Sequence, residues 1–479
     1  MYRMKSLEQL EFEDFYLPFG GKLRRDNRWV KLSKLISWDE IEVLYSDSFS
    51  KQMGAPAKPL RMALGALIIK ERCGFTDEET VEQIRENPYL QYFIGLSEYT
   101  DDYPFDSSMM VHFRKRFNRD MLNRINELII DNDRKEDDPQ VSNLDADNDV
   151  CEDAEDNEGK LILDATCAPS DIRYPTDLSL LNDAREKLEI IIDILHDPFK
   201  GKDKKPRTYR ERARKDYLMT AKKRKKTYKE IRKSKGKQLR YISRDLRYIE
   251  DIVSRSSLEL LSKRQHKDLL VIHELYRQQK EMYDRRENRI DARIVSISQP
   301  HVRPIVRGKA SSPTEFGAKI SLSLVDGYAR LEELSWDNYN ESLTLIDHLE
   351  RYRERYGCYP ESLQVDSIYR TRNNRSFCKN KGIRISGPPL GRPRKEEQLN
   401  KNLKQEKQDL RERVVIEGKI GEGKRRYGLS RIMAKLQETS EAVICINILV
   451  MNLERKLRLL LSQILLRLFK RYQWVSLAV

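Results

Sequence analysis

Two largely apolar runs in this chain each lead into an aspartate, and that pairing constrains the fold more than any other feature. Leu161-Ile162-Leu163 precedes Asp164, and Leu363-Gln364-Val365 precedes Asp366. Short apolar runs bounded by polar residues read as buried strands. A carboxylate at the tip of such a strand points into a site and away from the core. A third acid, Glu417, lies in a charged helical stretch between Arg413 and Lys424, with the spacing R-x3-E-x6-K. An Asp can also end a strand simply by capping the next turn. Singly, then, these residues mark nothing; it is their order and flanks that point to one site. Hard carboxylate oxygens from two strands and a helix can hold a pair of Mg²⁺ ions on a phosphodiester.

At 479 residues the chain exceeds one small core, so two or three packed units are expected. Hydrophobic residues make up 39% and charged residues 35%, which fits a soluble, helix-rich protein. The formal net charge of +14 favours a polyanionic partner, because each Lys or Arg set on a phosphate releases counterions. The six cysteines are scattered without zinc spacing and read as reduced thiols. The N-terminus has no signal-peptide apolar region. The longest apolar stretch, residues 442–453, is too short to span a bilayer. A cytoplasmic protein without membrane contact is expected.

Residues 1–131 read as an all-helical domain. Pro59 opens a run of helix formers to Ile69, and Thr76 with Glu79 forms a capping box. A further helix near Asp106 carries Arg114, Lys115 and Arg116. Two readings fit: a helix-turn-helix-like reader of DNA, or a helical bundle with a solvated basic face. Residues 132–158 are an acidic linker with too few apolar residues to order itself.

Beyond Asp164 an apolar helical stripe leads into a basic region containing Lys222, Lys223, Lys225 and Lys226, interleaved with tyrosines. Such helices can follow a nucleic-acid backbone. From Arg293 to Ile297 the pattern becomes strand-like, and residues 300–304 read as a loop. Residues 316–325 alternate well, Asp326-Gly327 is a hairpin turn, and 329–336 return. A helix at 341–356, the strand to Asp366, a helix at 373–379, a strand at 383–385 and an extended loop at 387–393 precede the Glu417 helix. With the insertion at about 178–290 removed, this is the order of an RNase H-like α/β core spanning 159–449. An amphipathic C-terminal helix is expected at 450–479.

In these blocks the chain resembles insertion-sequence DDE transposases of the insertion-sequence-5 type with an InsH-like N-terminal domain. The resemblance rests on Leu163-Asp164-Ala165-Thr166, on Val365-Asp366-Ser367-Ile368-Tyr369-Arg370, and on Arg413 through Glu417 to Lys424. It implies that Asp164, Asp366 and Glu417 are the catalytic, metal-binding triad for two Mg²⁺ ions, with Mn²⁺ as a substitute. It also implies that Arg413 and Lys424 contact DNA phosphates. Double-stranded DNA, as terminal inverted repeats and as target, is the implied partner, and a homodimer associated with the nucleoid is the implied active form. The tyrosine that opens the wider signature of these enzymes is replaced by Leu410. A non-catalytic DNA-binding descendant, or a nuclease without strand transfer, remains an alternative. Glu422 is the rival third acid; flanked by Gly421 and Gly423, it is expected to face solvent.

Overall fold

Parallel pairing of two short strands sets the centre of the protein. In the computed structural model, β1 (Lys160–Pro169) lies beside β5 (Ser362–Gln364) in the register Lys160↔Ser362, Leu161↔Leu363, Ile162↔Gln364. β5 in turn pairs in parallel with β6 (Arg384–Ile385). On the other side of β1 lies β3 (Thr314–Val325), which pairs with β4 (Tyr328–Ser335) and, through its first residues, with β2 (Arg303–Val306). The structure describes residues 15–18, 20–47, 49, 56–137, 156–255, 257–306, 314–387 and 396–476. Most of the expected acidic linker and of the 387–393 loop lies outside them.

The chain divides into two compact units, Met1–Ala168 with Lys319–Leu334 and Tyr339–Val479, and Pro169–Ala318 with Ser335–Asn338. In the first, Leu161, Leu163, Leu363 and Val365 pack on Leu345, Leu349 and Tyr352 of α12 (Leu345–Tyr356) and on Cys378 of α13 (Arg372–Asn380). Alternation along the strands sends Lys160, Ile162 and Gln364 to the opposite face. The hairpin β3–β4 turns at Asp326 and Gly327, both at positive φ (52° and 78°), as a two-residue mirror-image turn requires.

The N-terminal helices are α1 (Arg28–Lys34), α2 (Trp38–Ser46), α3 (Leu60–Cys73), α4 (Asp77–Glu86), α5 (Pro88–Phe93), α6 (Met109–Arg116) and α7 (Arg119–Asp137). Thr76 caps α4, accepting from the Glu79 amide at 3.1 Å. These helices fall within the first compact unit. The last helix, α15 (Gln437–Ser476), packs along α7, α3 and α6 within the same unit. Every residue of the apolar 442–453 stretch is buried, from Ala442 through Ile446 and Leu449 to Leu453, and one helix runs through position 450.

The second unit is helical, as expected of the insertion, with α8 (Asp177–His196), α9 (Arg210–Ala221), α10 (Tyr228–Val253) and α11 (Lys263–Arg285). Its core joins Leu181, Leu188 and Ile192 of α8 to Leu239, Ile242 and Ile249 of α10 and Ile272 and Leu275 of α11. The strand expected at 293–297 is absent. Ile294 and Ile297 join this helical core instead, and the Ile294 amide donates to Gln278 Oε1 at 3.0 Å. A strand comes later, as β2, whose first two residues, Arg303 and Pro304, fall within the stretch read as a loop. Proline is tolerated there because β2 pairs only with β3.

One buried side chain ties the first unit together. Asn452 Oδ1 accepts from the Ala329 amide at 2.9 Å, and its Nδ2 donates to Ala329 O at 2.7 Å and Asn126 Oδ1 at 2.8 Å. Asn452→Ala strands these buried groups and is expected to cost roughly 2–3 kcal/mol. Denaturant unfolding of the variant should show that loss; unchanged stability would mean the clip carries no net energy.

Candidate active site

The face of the sheet opposite α12 carries the candidate site, and one helix covers it. This is α14 (Glu396–Arg426), whose residues Asp409, Glu412, Arg413, Ile416 and Ile420 recur at helical spacing on one side. Ile416 and Ile420 are buried. Lys160 at the start of β1 pairs with Glu412 at 2.7 Å, and Arg384 on β6 pairs with Asp409 at 2.8 Å. Between them, Gln364 Nε2 donates to Glu412 at 3.2 Å and to Asp409 at 3.4 Å. Burial opposes ionisation of Asp409, but Arg384 and the amide donors outweigh it and hold its carboxyl below the usual range.

This clamp places the three acids. Two residues beyond Ile162, and four beyond Lys160, on the same face of β1 comes Asp164, half-buried, with Oδ1 accepting from the Ala165 amide at 2.8 Å. Asp164 lies within β1 and not at its tip, because the buried run Ala165-Thr166-Cys167-Ala168 carries the strand onward. Two residues beyond Gln364 comes Asp366, which does follow the end of β5. It also caps the next turn, accepting from the Ser367 amide at 2.6 Å, so the capping and the site readings hold together. Glu417 projects from α14.

Arg413 joins two of the acids. Its Nη1 lies 3.0 Å from Asp366 Oδ1 and its Nη2 3.3 Å from Glu417 Oε1. Both carboxylates are half exposed, so the site opens to solvent. Among the described residues no three His, Cys, Asp or Glu side chains are grouped closely enough to hold a metal ion. Lys424 lies two turns beyond Glu417 on α14 and is partly exposed.

The other candidates separate clearly. Arg114 does not face outward as expected: it is buried and forks onto Asp77, at 2.9 and 2.6 Å. Arg116 lies over the Phe49 ring, 4.7 Å from its centroid, and Lys115 is exposed. Lys222, Lys223, Lys225 and Lys226 are exposed in the turn between α9 and α10, with Lys223 2.5 Å from Glu230. Glu422 does not face solvent. It is mostly buried, 2.9 Å from Arg458 and 3.4 Å from Lys419. The glycine beside it, Gly423, packs α14 closely instead of weakening it: a Cβ there would meet Leu429 at 2.7 Å and Met451 at 2.8 Å.

Sequence reasoning missed Lys160, Gln364, Arg384, Asp409 and Glu412. One signal was available: Gln364 is a polar residue inside a buried strand, two positions before Asp366 and therefore on its face.

An α/β sheet with acids on one face and a charged helix across it defines a class of nucleic-acid-processing candidates, and comparison with known proteins narrows it. Residues 363–454, which include Asp366, Arg413 and Glu417, match the transposase DDE domain family. Residues 18–116 match a second transposase domain family (DUF772). Two separate segments of the chain are thus similar to transposase domain families. The chain is also 34% identical over 87 residues to the uncharacterized protein ORF8 in the nfe locus of Rhizobium meliloti. That alignment covers 18% of this chain and 42% of that relative's length. No solved structure matches.

The buried pair predicts a contrast on α6. Arg114→Ala should lower stability by about 1–3 kcal/mol, because Asp77 loses both bonds of the guanidinium fork and keeps only Lys70 at 3.3 Å. Lys115→Ala should leave the unfolding curve unchanged. Equal curves for the two variants would contradict the inward placement of Arg114.

Proposed function

We propose that this chain is a DNA transposase that cuts the ends of its element and joins them to target DNA, using Asp164, Asp366 and Glu417 as one carboxylate centre on an RNase H-like core. The observation that carries the reading is the α14 clamp, which brings Glu417 beside Asp366 through a shared Arg413. The path β4-β3-β1-β5-β6 supports the core assignment, since β1, the end of β5 and the last helix before α15 then bear the three acids.

The donor set fits a hard divalent cation, being carboxylate oxygens only, two of them already gathered around one positive group. Asp164, Asp366 and Glu417 would hold Mg²⁺, or Mn²⁺ in its place. A bound cation of this kind supplies Lewis-acid polarisation of the phosphodiester and lowers the pKa of bound water. The chain's own residues do the rest. The Ala165 and Ser367 amides orient Asp164 and Asp366. Lys424 and Arg413 lie along the helix that carries Glu417, suited to hold phosphate oxygens beside it. The exposed lysines of the α9–α10 turn add sequence-independent attraction for the DNA backbone. A homodimer acting on paired ends, close to chromosomal DNA, completes the proposal.

Strand joining on DNA carrying the candidate ends, with Mg²⁺, tests the whole. Asp366→Asn and Glu417→Gln should each abolish it while leaving the fold intact, because the amides keep shape but lose charge. Glu422→Gln should stay close to wild type in joining. Cleavage without joining in the wild type would make the protein a nuclease, and near-normal joining by Glu417→Gln would remove that residue from the centre.

Replacing Lys222, Lys223, Lys225 and Lys226 together by Ala should weaken DNA binding across sequences and flatten its salt dependence. An unchanged slope in a salt titration would assign that turn to solvent or to a protein contact.

A further inference from the structure

We infer that Arg413 is a resident counter-ion of the carboxylate centre, which a divalent cation must displace and which is thereby released to hold a DNA phosphate. The inference rests on the carboxylate centre proposed above. Both terminal nitrogens of the guanidinium are engaged, one by Asp366 and one by Glu417, while its Nε is buried with no hydrogen-bond partner. The planar fork suits this bridging as a lysine would not. Without the bridge, the two carboxylates would repel each other across a site open to water. With it, they are kept side by side on the strand end and the helix that carry them.

The same geometry makes Arg413 and a divalent cation alternatives. Arg413 holds Oδ1 of Asp366 and Oε1 of Glu417, so a cation drawn in between the same two carboxylates competes with the guanidinium for them. The charge balance then shifts by two units for each cation. Asp164, Asp366 and Glu417 against one guanidinium leave two net negative charges, which repel phosphate. One divalent cation makes the centre neutral and removes that repulsion, and a second makes it net positive, which attracts phosphate. Cation binding and DNA binding are therefore coupled through one side chain, and by linkage each strengthens the other. Arg413 acts as a positioning residue, and its two partners explain why a DNA-facing arginine lies four residues before the acid on the same helix face.

Mn²⁺ titration of the full chain by calorimetry, first without DNA, tests this apart from catalysis. Arg413→Gln should bind Mn²⁺ roughly fivefold more tightly than wild type, the size expected for two half-exposed ion pairs. Arg411→Gln, which removes an exposed charge from the same helix, should bind within about twofold of wild type by the same screening. Arg413→Lys, which keeps charge but loses the fork, should lie between wild type and Arg413→Gln and serves if the glutamine variant does not fold. In a second titration, Mn²⁺ should strengthen binding of a DNA duplex to the wild type more than to Arg413→Gln. Unchanged or weaker Mn²⁺ binding by the Arg413 variants, or equal tightening by Arg411→Gln, overturns the inference and leaves the centre standing. Mn²⁺ binding that Asp366→Asn and Glu417→Gln leave unaltered overturns the centre itself, and the inference with it.

Discussion

The placement of α14 on the open face of the sheet is the constraint on which the candidate site depends. Neither Asp366 nor Glu417 reaches the other through its own element. What brings them together is a set of polar contacts one and two turns away: Lys160 to Glu412, Arg384 to Asp409, and Gln364 to both acids. Ion pairs on a surface contribute little. These are partly shielded beneath the helix, and they are geometrically specific, fixing the helix in both directions along the strands. The apolar contacts of Ile416 and Ile420 hold the helix down, and the polar contacts fix where along the sheet it sits.

Much of this was legible from the residues. The alternation at 316–325 and the Asp326-Gly327 turn gave β3, the hairpin and the returning strand almost to the residue. Leu161 to Leu163 and Leu363 to Val365 were read as buried strands, though not as neighbours, and the helical stretch after Asp164 was visible as a change of period. The resemblance to insertion-sequence transposases was carried by short motifs, two of which lie in the segment that matches the DDE domain family.

The misreadings share a cause: local pattern does not say which neighbour will take up an apolar or charged side chain. Residues 293–297 alternate like a strand, but a helical core absorbed Ile294 and Ile297. Pro304 argued against a strand that an edge position permits. Arg114 belongs to a basic cluster in sequence, yet its partner Asp77 lies 37 residues away on another helix. Glu422 looked exposed between two glycines, but at one of them, Gly423, the buried side chains of Leu429 and Met451 come close.

That close approach has a consequence for the rotational phase of α14. A helix turns by about 100° per residue, so the direction of any side chain is set once a single point on the helix is pinned. Gly423 is such a point: Leu429 and Met451, both fully buried, fill the space a side chain would need. The direction in which Glu417 leaves the helix is thus fixed six residues away, by two side chains that touch neither acid nor DNA. Any bulk added at position 423 would be felt as a turn of the helix, and the carboxylate would move through an arc although nothing around it had changed.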